Sequence, residues 1–267
     1  MDHFPTNWGR PRNDAFDAYG TYPLHVRPQN EPKDTFDHGV QRTQQPIVTG
    51  TSVLALTYKD GIMMATDNLA SYGSLARFKD IQRLHPVGEY TVVGAGGDMS
   101  DFQYLQHILD DLIIEQEVNT QDNHKLGPAE VHEYLSNVMY ARRSKINPLW
   151  NSLLVGGFKD GKKFLAYVDL LGTTYSASTI ATGYGAYIAL PLLRKAVEGR
   201  ENTLTEEEAR AIMEESLRVL FYRDARSLNK YQIATVTASG TSISDSIKLE
   251  TSWGFAEGIR GYGSQTQ

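Results

Sequence analysis

A glycine precedes a threonine at the head of the first β-prone stretch, in Val48-Thr49-Gly50-Thr51-Ser52. A threonine hydroxyl is a weak nucleophile unless a base stands beside it. One chemical solution cuts the peptide bond before the threonine and frees its own α-amine. An α-amine with a pKa of about 8 can then take the hydroxyl proton. Gly50 is where that cut would fall. Thr-Gly-Thr also opens ordinary strands, so the structural reading stands beside the chemical one.

The run Gly94-Ala95-Gly96-Gly97-Asp98 joins an expected strand to an expected helix. Backbone N–H groups near a helix N-terminus favour negative charge and can form an oxyanion site. The same glycines let a strand and a helix pack without side chains between them. Other constellations are missing: there is no HExxH, GxSxG or GxxxxGK[ST]. The absence of cysteine excludes disulfides, thiolate metal sites and a cysteine nucleophile. The histidines are scattered without metal-ligand spacing, and His107 and His132 read as structural or surface residues. Neither a metal nor a cofactor is expected.

The elements that would position these groups follow from pattern. With 267 residues, 40% hydrophobic, the chain can bury a sizeable core. A net charge of -6 and no basic cluster beyond Arg142, Arg143 and Lys145 argue against nucleic-acid binding. No apolar run is long enough for a membrane span or a secretory signal. Residues 1–42 hold Pro5, Pro11, Pro23, Pro28 and Pro32, half of the 10 prolines, and sustain no period. They read as a flexible leader or as a removable pro-segment.

Val53–Tyr58 and Ile62–Thr66, apolar on both faces and separated by Lys59-Asp60-Gly61, predict a hairpin covered on both sides. A third strand is expected over Tyr90–Gly94. A helix capped by Asp98 aligns Phe102, Leu105, Leu109 and Leu112. Another, from Pro128, aligns Val131, Leu135 and Val138. Further strands are expected over 152–158 and 164–168, and a short helix over 186–197. Thr205-Glu206-Glu207-Glu208 is a capping box opening a helix whose inner stripe is Ala209, Ile212, Met213, Leu217 and Leu220. Strands over 232–238 and 242–249 close the pattern. Grouped strands and helices predict an α+β fold with packed sheets.

Taken together, Thr51, Gly61, Asp67, the Gly96-Gly97-Asp98 run and Tyr222-Arg223-Asp224-Ala225-Arg226-Ser227 resemble proteasome beta-type subunits over residues 43–250. More narrowly, four segments are similar to the beta-7 (beta type-4) branch of that family. They are Thr43–Val53, Ser71–Phe78, Arg142–Asn151 and Ala181–Tyr187. The resemblance implies a four-layer αββα sandwich, the N-terminal-nucleophile hydrolase fold. It implies rings of seven different beta subunits between alpha rings, acting in ATP- and ubiquitin-dependent protein degradation in cytoplasm and nucleus.

Active members of the family use an N-terminal Thr, a Lys, an Asp supporting that Lys, an oxyanion Gly, a further Ser and an Asp-x-x-Ser pair. Carried over by resemblance, Thr51 matches the nucleophile and Gly50 the residue before the cut. Asp67 matches the supporting Asp, Gly97 or its neighbour Gly96 the oxyanion Gly, and Asp224 with Ser227 the late pair. Two positions depart. The Lys position falls on Arg83, and the last Ser of the family's Gly-Ser-Gly-Ser run falls on Ala186 of Gly183-Tyr184-Gly185-Ala186. Guanidinium is planar and permanently charged, and does not share protons as a lysine ammonium can.

The expectation is therefore a non-catalytic structural subunit of a threonine-type endopeptidase complex, not itself an enzyme, with Thr51 kept inside the chain. The alternative is an active threonine protease with Thr51 as nucleophile; a stand-alone binding domain is a third reading. The resemblance further implies trimming between Arg42 and Thr43 by neighbouring active subunits, which leaves residues 43–50 as a stub. Residues 251–267 carry Trp253, Phe255 and Tyr262. They read either as a frayed terminus or, by resemblance, as an arm reaching the opposite beta ring. Expected partners are other beta subunits of both rings and the alpha ring.

Overall fold

The computed structural model describes residues 44–119 and 125–259. The segment 1–42, the Arg42–Thr43 junction and Tyr262 lie outside the described residues.

The chain runs β1 (Val48–Gly50), β2 (Val53–Tyr58), β3 (Gly61–Asp67), β4 (Ala70–Tyr72), β5 (Leu75–Phe78), β6 (Leu84–Val87) and β7 (Thr91–Asp98). Helices α1 (Met99–Asn119) and α2 (Pro128–Ser144) follow. Then come β8 (Asn151–Lys159), β9 (Lys162–Asp169), β10 (Thr174–Ser176), β11 (Thr179–Ala181), α3 (Gly185–Ile188), α4 (Leu190–Val197) and α5 (Glu206–Arg223). Strands β12 (Lys230–Thr237), β13 (Gly240–Ile243) and β14 (Ile247–Lys248) and a 3-10 turn (Gly254–Ile259) end the described chain.

The strands form two antiparallel sheets. One has 8 strands in the order β10-β9-β8-β7-β1-β4-β5, with β6 also on β7; the other has 6, in the order β11-β2-β3-β12-β13, with β14 also on β12. Every residue of β2 and β3 is buried, as two-sided covering requires. Glycine permits the tightest approach: a Cβ at Gly61 would lie 1.9 Å from the Val236 carbonyl oxygen on β12. Asp160 and Gly161, both at positive φ (51 and 75°), make the two-residue turn between β8 and β9.

Three apolar seams separate the layers. Val53, Ala55, Ile62 and Met64 of the smaller sheet meet Leu84, Val92, Leu154 and Leu165 of the larger one. Phe102, Leu105 and Leu109 of α1 and Val131, Leu135 and Met139 of α2 cover the outer face of the larger sheet. Leu193 of α4 and Ala209, Met213, Leu217 and Leu220 of α5 cover the smaller one. Each fully buried side chain of this size contributes about 1.5–3 kcal/mol. The α+β, four-layer expectation holds.

Several local expectations change. The third strand continues through Asp98, so the glycine run lies inside β7 and not in a connecting loop. Asp98 still caps α1, its Oδ2 accepting the Asp101 N–H at 3.1 Å. The buried stripe of α2 ends on Met139, with Val138 only half-buried. The helix expected over 186–197 breaks into α3 and α4, because Pro191 has no N–H to give the carbonyl four residues back. The Thr205 capping box forms as read. The stretch 242–249 is interrupted: Ser244 turns out of line, its Oγ accepting the Ile233 N–H at 3.0 Å.

Candidate functional site

Thr51 sits where the chain passes from one sheet to the other. Residues 48–50 were expected to open the first strand. They form β1, in the larger sheet, whereas β2 begins the smaller one. Val48 and Thr49 lie opposite Tyr72 and Ser71 of β4, and Thr49 and Gly50 lie opposite Asp98 and Gly97 of β7. The Ile47 N–H adds a bond to Asp98 Oδ1 at 2.8 Å. The segment before Thr51 thus fills the slot between β7 and β4, and it is what connects the β4–β5 hairpin to the rest of its sheet.

Arg83 clamps this crossing. It is fully buried, at 0% exposure. Its Nη1 donates to the carbonyl oxygens of Thr51 (2.8 Å) and Ala95 (3.1 Å). Its Nη2 donates to the Ser52 carbonyl (2.9 Å) and to Asp67 Oδ1, and Nε to the Asp67 carbonyl (3.0 Å). A guanidinium has five N–H donors in a fixed fork, and these five contacts use all of them. The fork ties β3, through Asp67, to β7, through Ala95. It also explains Gly50: a Cβ there would lie 2.5 Å from Arg83 Cδ.

The Asp67 carboxylate divides its oxygens between Arg83 and the Leu228 N–H, the latter at 2.9 Å. Burial pushes the Asp67 carboxyl up to about 6, while the Arg83 charge and the Leu228 amide pull the other way. The Thr51 hydroxyl donates to Asp224 Oδ2 at 2.7 Å. Asp224 follows the last turn of α5, and its Oδ1 accepts the Arg226 N–H at 2.9 Å. Ser227 is close in chain but turned away. Its hydroxyl is bonded to the carbonyl oxygens of Asp224 (2.7 Å) and Leu220 (3.3 Å).

Gly97 has φ +91°, and a Cβ on it would lie 2.1 Å from the Trp150 carbonyl oxygen, so only glycine fits. A Cβ on Gly96 would lie 2.8 Å from the Thr51 carbonyl oxygen. Ala186 stands in the first turn of α3 with no hydroxyl to offer. Two residues that the sequence reading passed over hold the crossing from the other side. Ser52 Oγ accepts the Gly185 N–H at 2.8 Å, and Thr182 Oγ1 accepts the Val53 N–H at 2.9 Å. Their only sequence signal is adjacency: one follows Thr51, and the other precedes Gly183.

The family model described as "Proteasome subunit" matches residues 47–236. The chain belongs to the proteasome subunit family. It is similar to the probable proteasome subunit beta type-7 of Schizosaccharomyces pombe, with 51% identity covering 97% of this chain and 96% of that protein. Similarity to proteasome subunit beta type-4 of Xenopus laevis reaches 47% identity, over 92% and 98% of the two chains. Proteasome subunit beta type-7 of Saccharomyces cerevisiae is 44% identical over 99% of each.

Within this proteasome family the two stacked sheets between helices are the N-terminal-nucleophile hydrolase architecture. Thr51, Asp67, Arg83, Gly97 and Asp224 are brought to one place around the sheet crossing, whereas Ser227 faces the end of α5 and Ala186 lies beyond Ser52. Among the described residues, the hydrogen bonds of Arg83 include none to the Thr51 hydroxyl. The site can hold a buried ion pair and fix a threonine rotamer. As long as the chain is uncut before Thr51, the Thr51 nitrogen is a peptide nitrogen, whose lone pair is delocalised and does not act as a base. The described residues hold no group of three or more His, Asp or Glu that could bind a metal ion. None of their helices is long and apolar enough to cross a membrane.

Proposed function

We propose that this chain is a non-catalytic, structural beta subunit of the proteasome core particle. The observation that carries the reading is the Arg83 fork. At the position where active members hold a lysine, all five N–H donors are engaged by backbone carbonyls and Asp67. The guanidinium does not reach the Thr51 hydroxyl, which donates to Asp224 instead, and Ala186 supplies no second hydroxyl. The segment 48–50 occupies the slot between β7 and β4 in which an extended peptide would otherwise pair.

On this reading residues 1–42 are removed between Arg42 and Thr43 by neighbouring active subunits, and the stub from Thr43 stays over the site. The partners are other beta subunits of its own and the opposite ring and the alpha ring, in cytoplasm and nucleus. The C-terminal arm reaches the opposite beta ring. In the chain itself Trp253 and Phe255 pack on α5: Tyr222 meets them edge-on, with ring centroids at 4.9 and 5.1 Å. Both remain substantially exposed, which leaves ring faces for another chain.

Intact-mass measurement of this chain in purified particles tests the reading, together with labelling by a covalent warhead that attacks N-terminal threonine. A chain beginning upstream of Val48 and unlabelled is expected. A chain beginning at Thr51, or one labelled on it, overturns the proposal in favour of an active protease.

A further inference from the structure

Helix α2 ends in a Schellman motif. The Asn147 N–H bonds the Arg142 carbonyl at 3.1 Å and the Ile146 N–H bonds the Arg143 carbonyl at 3.0 Å. The motif places its C′ residue in the left-handed region, where glycine, or sometimes asparagine, normally sits. Here that residue is Ile146, with φ +53°. A β-branched residue is a poor occupant, since its branched Cβ crowds the neighbouring carbonyl. The other non-glycine at positive φ among the described residues is Asp160, in a hairpin turn that suits aspartate.

Ile146 gains no compensating burial within its own chain: it is 92% exposed. The backbone strain and the exposed apolar side chain are both unfavourable, and the cap is built to enforce them. Arg142 Nε donates to the Asn147 carbonyl at 2.8 Å and Nη2 to Asn147 Oδ1 at 3.3 Å, and Pro148 bars continuation of the helix. Strain that the surroundings over-determine in this way points to use of the side chain it presents.

The residues flanking Ile146 at this end of α2 state the chemistry. Tyr140 and Leu171 are 54% and 53% exposed. Tyr140 packs on the turn after β9, where a Cβ at Gly172 would lie 3.0 Å from the tyrosine Cβ. Arg143, over the Tyr140 ring at 5.5 Å, and Lys145 are exposed cations beside the isoleucine. An exposed apolar side chain flanked by Arg143 and Lys145 is not self-complementary, because a second copy would bring like charge and convex shape together.

We infer that Ile146 is an assembly anchor that seats in an apolar socket edged by carboxylates on a different subunit of the particle. This rests on the reading of the chain as a core-particle subunit. A photo-crosslinking residue at the site (Ile146→p-benzoyl-phenylalanine), carried by the full chain in purified particles, reads the contact directly. A crosslink to an apolar segment of another subunit, with Asp or Glu beside it, is expected. A crosslink only within this chain or to a second copy of it, or no crosslink, overturns the inference. Ile146→Gly and Ile146→Asn relieve the strain and remove the apolar side chain. Each should shift the ratio of particle-bound to free chain about tenfold toward free chain, with Ile146→Val close to wild type. Equal partition of all variants overturns the inference while leaving the subunit reading intact. Wild-type chain that enters no particle defeats the subunit reading itself.

Discussion

Arg83 grips Thr51 by its carbonyl oxygen, Nη1 to O at 2.8 Å, and leaves the threonine hydroxyl to Asp224. The Arg83 guanidinium serves as a staple between two sheets. Its acceptors come from β3, from β7 and from the crossing itself, so one guanidinium serves four backbone carbonyls and the Asp67 carboxylate.

Replacing Arg83 by lysine should restore no activity. Lysine offers three donors against five, so at least two of the present acceptors lose their partner, each at about 1–3 kcal/mol. The segment 48–50 still fills its slot, and Ala186 still lacks a hydroxyl. Particles carrying Arg83→Lys should show no warhead label on this chain and a lowered denaturation midpoint. A label on Thr51 would show that the guanidinium alone silences the site.

Removing the charge altogether should extend the pH dependence of stability to higher pH. The Asp67 carboxyl already stands raised, from 3.8 to about 6, by burial. A folded-state pKa above the unfolded one contributes stability that is fully present below the unfolded value and lost as pH rises through the folded value. In wild type that loss is complete once pH passes about 6. In Arg83→Met the counter-charge that pulls the value down is gone, so the loss extends to higher pH. Urea denaturation should show a deficit of about 3–5 kcal/mol at about pH 8, shrinking toward about pH 5 as Asp67 takes up its proton. Parallel wild-type and variant curves across that range would contradict the pairing.

Thr51→Ala should be nearly silent. The hydroxyl makes one hydrogen bond, to Asp224, from a half-buried position. Its loss costs about 1 kcal/mol. The N-terminus of the mature chain and the peptidase rates of the particle should not change, as mass spectrometry and fluorogenic substrates will read. A fall in any peptidase rate would assign Thr51 a chemical role.

Ser52→Ala should be the costlier of these two neighbours. It leaves the buried Gly185 N–H without the acceptor it has at 2.8 Å. A loss of about 1–3 kcal/mol is expected in chemical denaturation, with Ser52→Thr losing less if the hydroxyl keeps its place. Equal losses for Thr51→Ala and Ser52→Ala would weaken this account of the crossing.

Truncation after Leu249 removes the Trp253 and Phe255 rings that pack on Phe221 and Tyr222. Native gels should show half-particles in excess over full particles. Unchanged assembly would count against the arm.

Local rules made much of this architecture readable from the residues. The hairpin turns at Asp60 and Asp160, the Thr205 capping box, the Pro128 helix start and the doubly apolar β2 and β3 depend on neighbours within a few positions, which periodicity reports. That position 83 holds an arginine and position 186 an alanine was legible too, because residue identity needs no coordinates. The three- and four-residue strands β4, β5, β6, β10 and β11 were not, since so few residues carry no period and exist by pairing with longer strands.

Only the tertiary structure decided what Arg83 does. Its partners lie 12 to 32 residues away in sequence, and hydrogen-bond geometry between such groups exists only after both sheets have formed. The same holds for the placing of β1 in one sheet and β2 in the other, and for the left-handed turn that puts Ile146 into solvent. Composition and spacing fixed which chemical groups are present; the closing of the chain on itself determined which of them can meet.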